Sequence, residues 1–149
     1  TREALQAIHE ADVIVYGIGS LYTSIMPNLI VDGVVEQLRS NPVKKIYFCN
    51  AMTQPGETDD FTLEDHVAAI QKHSFSEAVD IVITHNNRAQ RHILEKYKDM
   101  GSEPVRVAQE EHSYQILYRD VLNFDDDLIR HDSNKIRDVL GEIINSKDE

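Results

Sequence analysis

Hydrophobic residues in this chain alternate between helical spacing and short unbroken runs. Ala4, Leu5, Ile8 and Ala11 recur at helical spacing and predict an amphipathic helix. It leads into Val13-Ile-Val-Tyr16, β-branched and aromatic, which reads as a strand buried on both faces. Leu29, Ile30, Val31, Val34, Val35 and Leu38 predict one helix with a wide apolar face, stopped by Asn41-Pro42. Lys45-Ile-Tyr-Phe-Cys49 is a second strand, followed by a long polar loop over residues 50–61 that contains the turn pair Pro55-Gly56. Thr62 and Asp65 have capping-box spacing ahead of a helix that buries Leu63, Val67 and Ile70. Residues 79–84 form a third strand, ending at His85-Asn-Asn87. Ile93, Leu94, Tyr97 and Met100 mark the inner face of the next helix, closed by Gly101. A short strand is expected at 104–107 and another within 114–122. Asp132 or Ser133 caps a last helix with Ile136, Leu140, Ile143 and Ile144 on its apolar side, and the polar tail 146–149 is expected to fray.

Helices alternating with short apolar strands predict an α/β fold, a parallel sheet with helices on both faces. In such sheets ligands bind outside the carboxyl ends of the strands. That rule brings three segments to one edge: residues 17–24, 50–61 and 85–88.

Composition narrows the function. At 149 residues the chain fits one domain with no internal boundary, and 41% hydrophobic with 28% charged residues is ordinary for a globular protein. A net charge of −11 argues against non-specific nucleic-acid binding, and requires any phosphate site to be locally positive or to use a metal. Cys49 is the single cysteine, which rules out an internal disulfide and a cysteine zinc cage and fits a reducing compartment. No apolar run approaches membrane-spanning length. The chain starts at Thr1 inside a helical pattern, as a piece of a longer protein would.

The segment at residues 17–24 carries the strongest chemical signal. Gly17 and Gly19 follow a strand, Ser20, Thr23 and Ser24 supply hydroxyls, and Pro27 fits the first turn of the next helix. Backbone donors, hydroxyls and a helix N-terminus together suit a phosphate, although a tight hydroxyl-capped turn has the same composition. The loop has neither the Walker pattern nor a full Gly-x-Gly-x-x-Gly. In the second loop Asn50, Thr53, Gln54 and Thr58 can hydrogen-bond a sugar or base. Glu57, Asp59, Asp60 and Asp65 are hard oxygen ligands suited to magnesium on a phosphate, or simply a solvated acidic loop. His66, with Glu57 and Asp65, is a candidate acid or base, or else a capping residue. Asn86 contacts a ligand or makes a turn, and Arg130-His131-Asp132 reads best as a cap with a surface ion pair. The tyrosines, Tyr16, Tyr22, Tyr47, Tyr114 and Tyr118, read as core or rim residues.

Gly17-Ile-Gly-Ser-Leu-Tyr-Thr-Ser-Ile-Met-Pro-Asn28 resembles the Gly-Pro-Gly-Ser-Leu-Tyr-Thr-Ser-Ile-x-Pro-Asn signature of the YvcK-like gluconeogenesis-factor family (UPF0052), within the CofD-like, or 2-phospho-L-lactate transferase, group. Cys49-Asn-Ala-Met-Thr-Gln-Pro-Gly-Glu-Thr58 resembles its second signature, and Asp65-His66, residues 80–86 and Arg130-His131-Asp132 also fit its pattern. Ile18 departs from the usual proline. The resemblance implies a Rossmann-like, three-layer fold and a cytoplasmic location. Family members are longer and begin with a strand and a glycine-rich loop that have no counterpart here, so residues 1–149 look like the carboxyl-terminal part of a CofD-like nucleotide-binding domain.

The implied function is a nucleotide-sugar (UDP-N-acetylglucosamine-type) binding regulator of gluconeogenic growth, cell shape and cell-wall synthesis. It would be a non-catalytic binder, with Gly17, Gly19, Ser20, Thr23 and Ser24 on the phosphate and Asn50, Thr53, Glu57 and Asn86 around it. The alternative is a magnesium-dependent phospholactyl-type transferase acting on a nucleotide-linked phosphodiester. A protein-contact module is a third reading. A sheet edge or face left open by the missing part leads to the expectation that the chain self-associates as a homo-oligomer and binds nucleotide weakly; a break at a true domain boundary would leave it compact and monomeric.

Overall fold

The strands β1 (Ile14–Tyr16), β2 (Lys45–Phe48), β3 (Ile81–His85) and β4 (Gln115–Arg119) form one parallel sheet in the order β1-β2-β3-β4. The structure is a computed structural model that describes residues 1–146; the expected fraying of 147–149 lies outside the described residues. Two registers show how the sheet divides its side chains. Tyr16 pairs with Tyr47 on one face, while Val15 pairs with Ile46 on the other.

The Tyr16–Tyr47 face packs under α1 (Arg2–Glu10), the 21–29 segment, α3 (Val34–Ser40) and α4 (Leu63–Lys72), through Ile8, Leu21, Ile25, Leu38, Leu63, Val67 and Ile70. The opposite face, with Ile46, Phe48, Ile81 and Ile83, packs under α6 (Ser133–Asn145) through Val139 and Ile143. This is the expected α/β arrangement with helices on both faces. A full burial of each such aliphatic or aromatic side chain contributes roughly 1.5–3 kcal/mol, so the two layers fix which way each strand faces.

Capping follows the sequence closely. Thr1 caps α1 by accepting from the Ala4 N–H at 3.2 Å, and Asn41 closes its far end by donating Nδ2–H to the carbonyls of Ile8 (2.8 Å) and Ala11 (3.1 Å). Thr62 and Asp65 form a reciprocal capping box on α4, and Asp132 accepts from the Asn134 and Lys135 N–H groups at the start of α6. Lys45 is buried within β2 because its ammonium donates to the carbonyls of Asn41 (2.6 Å) and Val43 (3.1 Å).

Several expectations need correction. The helix expected from Leu29 to Leu38 is broken: a π-helical turn (Leu21–Ile25) runs into α2 (Met26–Leu29), and α3 starts afresh at Val34. Gly33, at φ +86°, is the break; a left-handed residue cannot continue a right-handed helix. Ile30 is therefore 73% exposed and Val31 is exposed too. β1 is the end strand of the sheet, and Val15 is 37% exposed on the α6 side rather than buried on both faces. Ile18 is exposed beside it, above a groove of about 300 Å³ lined by Ile8, Ile14, Ile25 and Leu29.

The strand expected at 104–107 reduces to one antiparallel bridge between Met52 and Pro104. The 114–122 segment splits into β4 and a two-residue strand β5 (Leu122–Asn123), which pairs antiparallel with β6 (Arg130–His131). On α5 (Arg91–Asp99) Ile93 is buried, but Met100 lies beyond the helix and is exposed. On α6, Val139 takes the buried place and Ile144 is exposed. Tyr16 and Tyr47 are buried in the core, whereas Tyr22 and Tyr118 are exposed. Among the described residues no helix is long and apolar enough to cross a membrane.

Candidate functional site

A cleft of about 520 Å³ opens at the carboxyl ends of β1 and β2, the place the sheet topology assigns to ligands. Three parts of the chain line it: Ile18, Gly19 and Ser20 from the glycine loop; Asn50 to Pro55 from the second loop; and Ile129 and His131 from the segment before α6, with Tyr97, Met100 and Ser102 closing the side.

One side chain joins the two loops. Asn50 donates Nδ2–H to the Gly19 carbonyl at 2.9 Å and accepts from the Tyr47 hydroxyl at 2.8 Å. Tyr47 is fully buried, so this clamp is anchored in the core. Gly17 takes φ +103°, and a side chain at Gly19 would place its Cβ 2.7 Å from the Ser24 Cβ. Only glycine lets the loop pack this closely on the turn that follows. Ser20 opens that turn: its carbonyl accepts from the Ser24 (3.0 Å) and Ile25 (3.1 Å) N–H groups, and its hydroxyl contacts those of Thr23 and Ser24.

The second loop is braced by its own side chains. Thr53 donates its N–H to the Glu103 carbonyl (2.7 Å), accepts from the Glu103 N–H at Oγ1 (2.9 Å), and accepts from the Ser102 hydroxyl at its carbonyl (2.6 Å). Thr58 accepts from the Gln54 N–H at 2.8 Å and Asp59 from the Gly56 N–H at 2.7 Å. The Gln54 Oε1, by contrast, is buried in the wall of the cleft without a hydrogen-bond partner among the described residues. A buried acceptor left unpaired is costly, so a donor belongs beside it.

The expected site residues divide accordingly. Gly19, Ser20, Asn50 and Thr53 come together at the cleft. Gly17 and Ser24 line the apolar groove beside β1 instead, and Thr23 reaches the site only through its contact with Ser20. Glu57 and Asn86 line neither; Asn86 is exposed and donates its N–H to the Arg119 carbonyl at 3.0 Å.

Asp65 is the partner of the Thr62 cap of α4, accepting from the Thr62 N–H at 2.9 Å, and His66 is fully buried, with Nδ1 2.7 Å from the Thr62 carbonyl and its ring edge-on to Phe61. Burial lowers the His66 pKa, which suits a neutral core residue better than an acid or base open to substrate. Glu57, Asp59, Asp60 and Asp65 do not converge: among the described residues no three His, Cys, Asp or Glu side chains gather to hold a metal ion. Burial also pushes the Cys49 thiol up to about 12, leaving it inert.

His131 is the residue that sequence reasoning passed over. Asp132 is the expected cap, but His131, held by its pairing with Leu122, lines the cleft. Burial and the neighbouring His85 both lower its pKa. The Arg130-His131-Asp132 run held the signal, masked by its resemblance to an ordinary helix cap.

Comparison with known proteins bears on the family and the fold. The family profile described as 2-phospho-L-lactate transferase CofD matches residues 1–122. The chain is 40% identical over 144 residues to the gluconeogenesis factor of Halalkalibacterium halodurans, covering 93% of this chain and 44% of that protein. It is 37% identical to the gluconeogenesis factor of Bacillus subtilis, covering 95% and 46%. A crystal structure of a UPF0052 family member from Bacillus halodurans superposes with a TM-score of 0.87 at 39% identity, covering 93% of this chain and 46% of that one. The chain thus spans somewhat under half the length of these relatives. With a matching family profile, a matching fold and both loop signatures meeting at one cleft, the chain belongs to the CofD family, alongside the gluconeogenesis factors.

Proposed function

We propose that this chain contributes the phosphate-holding part of a nucleotide-sugar site, for a ligand of the UDP-N-acetylglucosamine type, in a regulatory protein of gluconeogenic growth, cell shape and cell-wall synthesis. The observation that carries this reading is the Asn50–Gly19 clamp, which makes one wall out of the two signature loops. On that wall Ser20 lines the cleft, where its hydroxyl would donate to a diphosphate. The cleft volume of about 520 Å³ is in the range of small-molecule sites.

Titration calorimetry with UDP-N-acetylglucosamine tests this. Saturable heat is expected from the native chain, and Asn50→Ala is expected to weaken binding by about tenfold or more, the loss of one or two well-placed hydrogen bonds. Absence of heat from the native chain and from a full-length relative, or an Asn50→Ala affinity equal to native, would contradict the proposal.

A further inference from the structure

Beside the cleft lies a second cavity of about 260 Å³. Its wall is mostly apolar, with Leu94, Leu122, Phe124 and Ile129, and the same Met52 and Ile129 side chains line both compartments. A methionine partition adapts easily to what sits on either side of it. His85 also lines the second cavity, at the carboxyl end of β3.

The protein fixes the tautomer of His85. Its Nδ1 lies 3.1 Å from the Asn87 carbonyl oxygen. A carbonyl can only accept, so Nδ1 carries the proton and donates, and Nε2 of the neutral ring is left with its lone pair. Burial lowers the pKa of this histidine, against the smaller opposing effect of the Asn87 carbonyl, which keeps the ring neutral near pH 7. Nε2 has no hydrogen-bond partner among the described residues. Asn87, the other polar group deep in the wall, is already committed: its Nδ2 donates to Asp120 at 2.6 Å and its Oδ1 accepts from the Val121 N–H at 3.2 Å. Arg88 is exposed at the mouth.

We propose that this cavity is a second small-molecule site, for a neutral compound with a compact apolar body and one hydroxyl, the hydroxyl donating to His85 Nε2. An apolar chamber with an uncommitted imidazole acceptor on its wall selects such a molecule twice over. The wall favours carbon over charge, and the lone pair favours a hydroxyl over a bare hydrocarbon, because only the hydroxyl restores the hydrogen bond that Nε2 loses with water. This site goes beyond the nucleotide-sugar reading and does not depend on it.

The test uses p-cresol and toluene, which share a ring and a methyl group and differ by the hydroxyl. Each is titrated into the full chain while the His85 imidazole nitrogens and the Leu94 methyls are followed by NMR. Saturable shifts at both residues are expected with p-cresol, with the His85 Nε2 resonance moving more than Nδ1, and toluene is expected to bind about fivefold more weakly or worse. Leu94→Trp, which fills the cavity, is expected to remove both shifts, and His85→Phe to make the two compounds bind alike. The native chain alone already decides the matter. Equal affinity for the two compounds, or no shift at His85 and Leu94 up to about 10 mM p-cresol, a concentration at which even a millimolar site would be largely filled, would overturn the proposal.

Discussion

Gly19→Val is expected to weaken nucleotide-sugar binding about 100-fold and to lower the melting temperature by several degrees. The Cβ that any other residue brings to this position would lie 2.7 Å from the Ser24 Cβ, well inside contact distance, and both atoms belong to short, backbone-proximal side chains that cannot swing away. Relief has to come from movement of the loop. Overpacking of this kind costs about 1–3 kcal/mol, and in a domain of this size each of these is worth roughly 2–4 °C. Movement of the loop also separates the Gly19 carbonyl from Asn50, so the cleft loses its wall, and a fall in affinity of about 100-fold is expected. A partial rescue isolates the cause. Gly19→Ala combined with Ser24→Gly removes the facing Cβ and should recover most of the stability lost by Gly19→Ala alone, as measured by thermal and urea unfolding. A double variant no more stable than the single would show that the close contact is not the reason for glycine here.

Glu64→Gln is expected to cost about 2–3 kcal/mol near pH 7, and to flatten the acid limb of the stability curve. Glu64 sits in the first turn of α4 with its carboxylate buried, accepting from the Ala108 N–H (3.0 Å), the Gln109 N–H (2.9 Å) and His112 Nε2 (2.8 Å). It is the tie between α4 and the irregular segment that leads into β4. Burial by itself would raise this carboxyl, but the His112 and backbone hydrogen bonds outweigh it and lower the pKa from 4.5 to about 2. Because the folded value is the lower one, the contribution is complete above the unfolded value, near pH 4.5, and is lost as the pH falls toward 2. A shift of this size corresponds to roughly 3 kcal/mol. Urea unfolding followed from pH 7 to pH 2 should therefore show a steep loss below pH 4.5 in the native chain and a shallower one in Glu64→Gln. Parallel curves would mean that the Glu64 carboxylate does not hold the 106–112 segment in place.

The strands and caps were legible in the sequence because their causes are local. The apolar runs of the first three strands, the Thr62–Asp65 box and the Asp132 cap each act within a few residues and stand where the pattern puts them, whereas the run at 104–107 reduces to one bridge. The failures lie where tertiary context decides. The apolar spacing from Leu29 to Leu38 reads as one helix, yet the single left-handed residue Gly33 divides it. Val15 belongs to an apolar run but lies at the end of the sheet, a position that no local pattern encodes. Within the site, glycine spacing marked Gly19 and strand-end position marked Asn50, but the bond between them spans 31 residues and could not be read from either. Glu57, Asp59, Asp60 and Asp65 have the composition of a metal site without its geometry, since Asp59 and Asp65 are spent on the backbone of a turn and a helix start. His131 shows the reverse: its neighbours look like a cap, and only the pairing of β5 with β6 brings it to the cleft.

The most direct test of the central claim is a crystal structure of this chain grown or soaked with UDP-N-acetylglucosamine. The account predicts diphosphate density against Ser20 and the Asn50-clamped glycine loop, with the sugar in the same cleft beside Thr53 and Gln54. Nucleotide density elsewhere on the molecule, with the cleft between the two loops left to solvent, would contradict it.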